Sequence, residues 1–122
     1  MILTFANDRH TPAGGPHETG LRSALTATVN EFIRTVGLAD GEVYGADCYS
    51  GLVAVLRVNL DEPMFGSARR DRLNNPEVEP FIYSSVSRQF ARFLAQYPED
   101  GDAICSRALA ARDARLAAKK KR

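Results

Sequence analysis

Apolar and polar positions recur with two different periods along this chain, and the points where the period changes mark its elements. Residues 2 to 7 set Ile2, Thr4 and Ala6 against Leu3, Phe5 and Asn7, with apolar residues on both sides, which predicts a short strand in a covered sheet. From Leu21 to Val36 the spacing changes to Leu21, Ala24, Leu25, Thr28, Val29, Phe32, Ile33 and Val36, one face of a helix, with Gly37 as its stop. Pro16 suits the first helical position, where a missing N–H costs nothing. Gly20 inside this helix costs about 1 kcal/mol against alanine, a penalty that makes sense if another backbone approaches there.

Residues 41 to 44 read as a short extended piece, and 45 to 51 as a turn-rich patch. A β-branched run from Leu52 to Leu60 predicts a second strand, apolar on both faces until Arg57 and Asn59 make it one-sided. The segment from Met64 to Asn75 reads as a loop too polar for the core. Pro76 and Glu77 open a helix carrying Val78, Phe81, Ile82, Val86, Phe90, Phe93 and Leu94, which Pro98 ends. Asp100-Gly101-Asp102 then starts a last helix, the two aspartates capping it, whose apolar stripe thins toward the end. The predicted order is strand, helix, strand, helix, helix, an α+β two-layer domain of 122 residues with no repeat and no internal linker.

Charge changes this picture only at the C-terminal end. The chain carries +1 overall, but from Ala103 onward Arg107, Arg112, Arg115, Lys119, Lys120, Lys121 and Arg122 face the single acid Asp113. A basic helix over 103–122 is therefore expected, a segment able to neutralise nucleic-acid phosphates or simply to form a solvated helix end. No apolar run reaches the roughly 18 residues of a membrane span, and no signal-like segment opens the chain, so a soluble, cytoplasmic protein is expected. Cys48 and Cys105 fit no C-x-x-C spacing and are expected to stay reduced; with His10 and His17 they make no zinc pattern.

The segment Phe-Ala-Asn-Asp-Arg-His-Thr-Pro-Ala-Gly-Gly-Pro-His-Glu-Thr-Gly-Leu closely resembles the loop entering the central helix of the transducer domain of type IIA DNA topoisomerases, the second domain of the gyrase B subunit. That family typically reads Phe-Ala/Thr-Asn-Asn-Ile…Gly-Gly-Thr-His-x-x-Gly-Phe, and Phe5, Ala6, Asn7, Gly14, Gly15, His17 and Gly20 correspond to it. Gly45, Asp47, Gly51 and Leu52 correspond to a second family segment, Thr-Gly-x-Asp-x-x-x-Gly-Leu. The resemblance covers about Ile2 to Ala118 and implies a β-α-β-α core of the ribosomal-protein-like transducer fold, with a left-handed crossover and without its first strands.

A third family motif, Phe-x-x-Gln-Thr-Lys-x-Lys-Leu, carries a lysine that touches the terminal phosphate of ATP. Aligning it on Phe65 and Leu73 puts Ala68, Arg69 and Arg70 at Gln-Thr-Lys, so the amide donor is lost and the base retained. The resemblance thus implies that Arg70 senses the ATP γ-phosphate and that Arg112, Arg115, Lys119, Lys120 and Lys121 contact DNA phosphates. ATP with Mg2+ is expected in the intact assembly, bound mainly by an ATPase domain. The implied partners are double-stranded DNA, that ATPase domain and the A subunit, in an enzyme that can be a homodimer.

The chain has no Gly-x-x-x-x-Gly-Lys-Ser/Thr loop, and Tyr44, Tyr49, Tyr83 and Tyr97 lie in no context resembling the cleavage tyrosine. Asp100 and Asp102 share the spacing of a metal cluster without its setting, so no catalytic residue is assigned. His17 reads as a packed or capping residue, and Asp47 as bonded to the backbone of its own turn. The other functional class is a standalone, non-enzymatic module that binds a topoisomerase subunit or DNA.

Overall fold

The computed structural model describes residues 1–66 and 68–120. Its elements are β1 (Ile2–Ala6), β2 (Arg9–His10), α1 (Pro16–Val36), α2 (Gly45–Cys48), β3 (Ala54–Val58), α3 (Val78–Gln96) and α4 (Pro98–Lys120). The sheet order is β2-β1-β3, with β1 and β3 parallel in the register Leu3↔Val55 and Phe5↔Arg57. This is an α+β chain, with helices against one face of a small sheet.

Only that inner face is covered. Thr4, Ala6 and Val58 are buried there, whereas Val53 and Val55 remain 72% and 67% exposed, so the expected covered sheet is half right. The second strand is shorter than the apolar run that encodes it, because Leu52 and Val53 still belong to the preceding turn. β2 has no apolar pattern of its own. It exists because the chain turns back at Asn7, whose positive φ of 54° asparagine tolerates better than most residues. Asn7 then extends the β1–β3 pairing with its side chain, Oδ1 accepting from the Leu60 N–H at 2.7 Å and Nδ2 donating to the Leu60 carbonyl at 3.2 Å.

α1 crosses α3 where Gly20 lies: a Cβ there would stand 2.6 Å from the Glu79 carbonyl oxygen, so the backbone approach suggested by the helical glycine is real. One core cluster joins Ala6, Leu21, Val58, Leu73, Val78 and Ile82 between sheet, α1 and α3. A second joins Val29, Ile33, Val43, Cys105 and Ala108 between α1 and α4. Cys105 is buried and unoxidised, its thiol pushed up to about 11, first by burial.

Several expectations need correction. Residues 41 to 44 form no strand; Val43 is instead held on both backbone groups by the Asn30 side chain, at 2.8 and 3.1 Å. The turn-rich patch contains the one-turn helix α2. The last helix begins at Pro98 and not at Asp100, so Asp100 lies in its first turn and Asp102 within it. A proline lacking an N–H ends one helix and begins the next, since position N1 needs no donor. The 64–75 loop does enter the core, for Leu73 is fully buried.

Candidate functional site

The segment between β3 and α3 is a folded-back loop. Phe65 and Leu73 form an antiparallel bridge, the Gly66 N–H donates to the Arg72 carbonyl at 3.0 Å, and the Asn74 N–H donates to the Met64 carbonyl at 2.7 Å. Ala68, Arg69 and Arg70 lie exposed at its tip, and Arg70 has a positive φ of 57°. Such a conformation persists in a non-glycine residue only where surrounding contacts enforce it.

Those contacts are specific. At the tip, Arg9 donates from Nε to the Arg70 carbonyl at 3.1 Å and from Nη2 to the Arg69 carbonyl at 3.0 Å. In the middle, the returning limb pairs with the residues that open α1: the Ala13 N–H donates to the Asp71 carbonyl at 2.9 Å, and the Leu73 N–H to the Gly14 carbonyl at 3.0 Å. Gly15 is required at this seam. Its φ is 142°, and a Cβ would lie 2.4 Å from the Leu73 carbonyl oxygen. At the base, buried Asn75 accepts from the Met64 N–H at 2.6 Å and donates to the Glu62 carbonyl and the Glu77 carboxylate at 3.2 and 2.9 Å. The loop therefore moves with α1 or not at all.

Beneath the seam, His17 is fully buried and its Nε2 lies 2.9 Å from Thr11 Oγ1, which lies 2.8 Å from Thr4 Oγ1; Thr4 in turn donates to the Thr11 carbonyl at 2.8 Å. One proton arrangement satisfies the chain: the imidazole donates from Nε2 to Thr11, Thr11 to Thr4, and Thr4 to the carbonyl. Burial lowers the His17 pKa from its usual 6.5, only partly offset by Glu18 and the nearby Gly15 carbonyl. A neutral histidine locked into a closed network is a packing residue, as its spacing suggested.

The basic helix presents its charges unevenly. Arg115 donates to both carboxylate oxygens of buried Asp47, at 3.0 and 3.2 Å, and lies over the Tyr44 ring. Asp47 also accepts from the Tyr44 N–H at 2.8 Å, and the Arg115 hydrogen bonds, ahead of that backbone bond, hold its pKa below the usual range. Arg112 donates to the Asp40 carbonyl at 2.8 Å and pairs with Asp113. Arg107 donates to the Ser50 carbonyl at 3.0 Å. These arginines bind α4 to the segment before β3, whereas Lys119 is exposed and Lys120 ends the helix. Lys121 lies outside the described residues.

Arg70 and the α4 bases are thus not brought together. Among the described residues no group of three His, Cys, Asp or Glu side chains could hold a metal ion, and no helix is long and apolar enough to cross a membrane. Arg9, Asn75 and the Asp47–Arg115 pair escaped the sequence reading. The only local signal was at Asn75, a polar residue just before a helix-opening proline.

The sequence model of the DNA gyrase B family matches this chain over residues 1–122. The chain belongs to the DNA gyrase B family. The gyrase B subunit of Clostridium acetobutylicum is 37% identical over 124 aligned positions, and that of Mycobacterium leprae is also 37% identical. In each case the alignment covers 99% of this chain but only 20% and 18% of the relative, so the chain spans about a fifth of the length of the gyrase B subunits it matches. Among solved structures, a crystal structure of the 43K ATPase domain of Thermus thermophilus gyrase B in complex with an aminocoumarin superposes with a TM-score of 0.90 at 33% identity, over 98% of this chain and 33% of that one. Membership in the gyrase B family carries with it the type II topoisomerase B subunit lineage and its association with DNA.

Proposed function

We propose that this chain is the transducer segment of an ATP-hydrolysing type II DNA topoisomerase B subunit, coupling ATP binding and hydrolysis to DNA strand passage. The single observation that carries the reading is the triple attachment of the 63–75 loop: Arg9 at its tip, Gly14 and Gly15 along its limb, and Asn75 at its base. A tip held this way converts a pull on Arg70 into displacement of the whole α1 N-terminus. Because Gly20 seats α1 directly on α3, the two helices move as one body. In this reading the crossover between β1 and β3 has the left-handed sense of the transducer fold, and the neighbouring ATPase domain supplies ATP with Mg2+.

Each residue has a stated part. Arg70 presents a guanidinium to the terminal phosphate, and Ala68 offers no side-chain donor in place of the family's glutamine. The end of α4, at Lys119, Lys120 and Lys121, lies against DNA phosphates. Arg112 and Arg115 brace the helix, so they hold its basic end in place more than they supply contacts of their own.

The test is a graft. The corresponding fifth of the Clostridium acetobutylicum gyrase B subunit is replaced by this chain and combined with its A subunit, and ATP hydrolysis and change of DNA topology are measured together. Strand passage by the graft, lost on Arg70→Ala while the subunit still folds, is the expected result. Unchanged strand passage and nucleotide affinity in Arg70→Ala would remove Arg70 from the reading.

A further inference from the structure

The outer edge of β3 has no partner among the described residues, since the sheet ends there. In the parallel pair with β1, the Ala54 N–H donates to the Met1 carbonyl and the Val58 carbonyl accepts from the Asn7 N–H, which turns the backbone groups of Ala54, Leu56 and Val58 inward. Those of Val53, Val55 and Arg57 therefore point outward, and their side chains stand on the uncovered face, Val53 and Val55 being the most exposed apolar residues of the sheet. Beside the same edge lies a groove of about 430 Å3 whose apolar lining is Val58, Leu60, Val78, Phe81 and Ile82, with Phe81 70% exposed. Exposed, apolar edge strands of this kind are templates for pairing.

We propose that the occupant of this edge is a second copy of the chain, its β3 pairing antiparallel with the first about a two-fold axis at Val55. This surface is independent of the proposed coupling role. The register follows from backbone direction and charge. Centring on Val55 places Val55 opposite Val55, and Val53 opposite Arg57 twice, so that every outward N–H and carbonyl of the strand meets one from the partner. It keeps the two Arg57 side chains, the only charges in the strand, four residues apart, about 13 Å and beyond the ~10 Å screening length. Centring on Leu56 brings those charges to a diagonal contact, and centring on Arg57 sets them face to face, which opposes pairing. Centring on Val53 or Ala54 runs the strand into the turn at Gly51. At Val55 alone does the partner's Leu52 fall opposite Val58, over the apolar groove. The product is a continuous six-stranded sheet. Its short strands make the association weak, on the order of a micromolar dissociation constant.

Sedimentation equilibrium of the full 122-residue chain, read with cysteine cross-linking, tests this. A concentration-dependent dimer is expected, and Val55→Lys, which sets two like charges opposite each other at an exposed site, is expected to raise its dissociation constant about tenfold with helix content unchanged. Under mild oxidation Val55→Cys is expected to give a covalent dimer, because directly paired residues have Cα atoms about 5.5 Å apart, within disulfide reach. Val53→Cys alone should not cross-link beyond the unsubstituted chain, whereas Val53→Cys mixed with Arg57→Cys should. A monomer at every concentration overturns the proposal. So does a dimer that survives Val55→Lys unchanged, or one in which Val53→Cys cross-links as readily as Val55→Cys.

Discussion

The tip of the 63–75 loop and the C-terminal half of α4 look alike as sequence, since both are arginine-rich and both invite a role on phosphate. The folded chain treats them differently. At the tip the backbone is held, through the carbonyls of Arg69 and Arg70, and among the described residues no ion pair or hydrogen bond engages the Arg70 guanidinium. In α4 the side chains themselves are taken: Arg107 by Ser50, Arg112 by Asp40 and Asp113, and Arg115 by Asp47. A count of basic residues therefore overstates the charge that α4 can offer a ligand and misses the rigidity behind Arg70.

The strongest way to break this contrast is to unseat the loop. Gly15→Ala forces a Cβ onto the Leu73 carbonyl at a φ that side chains rarely adopt, so thermal or denaturant unfolding should show a loss of about 3 kcal/mol. Arg70→Ala, five ångström-scale contacts away from nothing it pairs with, should stay within about 0.5 kcal/mol of the parent in the same assay.

On the α4 side, Asp47→Ala leaves the Tyr44 N–H without its acceptor and the helix without its brace, and should cost about 2 kcal/mol. The aspartate's pH dependence sharpens the point. Its folded pKa is lowered, first by the Arg115 hydrogen bonds, so its contribution is full above the ordinary value of 3.8 and is lost as pH falls through the lowered value. His17 acts earlier. Burial disfavours its protonated form, so stability should begin to fall as pH drops below 6.5, the value for the unfolded chain, and stop falling below the depressed folded value. Denaturant midpoints measured from pH 8 downward should show the histidine step first, and Asp47→Ala should abolish only the later one.

Much of this fold was legible beforehand. The 3.6-residue face of α1, the penalty at Gly20 and the β-branched run of β3 each express a local preference that packing then used. What stayed hidden depends on partners far away in sequence. Arg9 reaches the carbonyls of Arg69 and Arg70, and Arg115 reaches Asp47, across separations that no local pattern encodes. Leu73 was concealed by its polar neighbours, although it carries the seam with Gly14 and Gly15. Pro98 was read as a stop, when the same missing N–H also makes it a start.

The smallest expected effect belongs to the exposed end of α4. Lys119→Ala should reduce the slope of log affinity against log salt for double-stranded DNA by about 1, with no change in folding stability. Arg115→Ala should change stability more than that slope, since its donors are already occupied.

The central claim is that the loop tip acts through its attachment to α1, and Arg9→Ala tests it most directly because it frees the tip without removing Arg70. In the gyrase B graft, strand passage per ATP hydrolysed is the quantity to measure. The account predicts that Arg9→Ala lowers this ratio while ATP binding is retained. A ratio equal to that of the unsubstituted graft would contradict it.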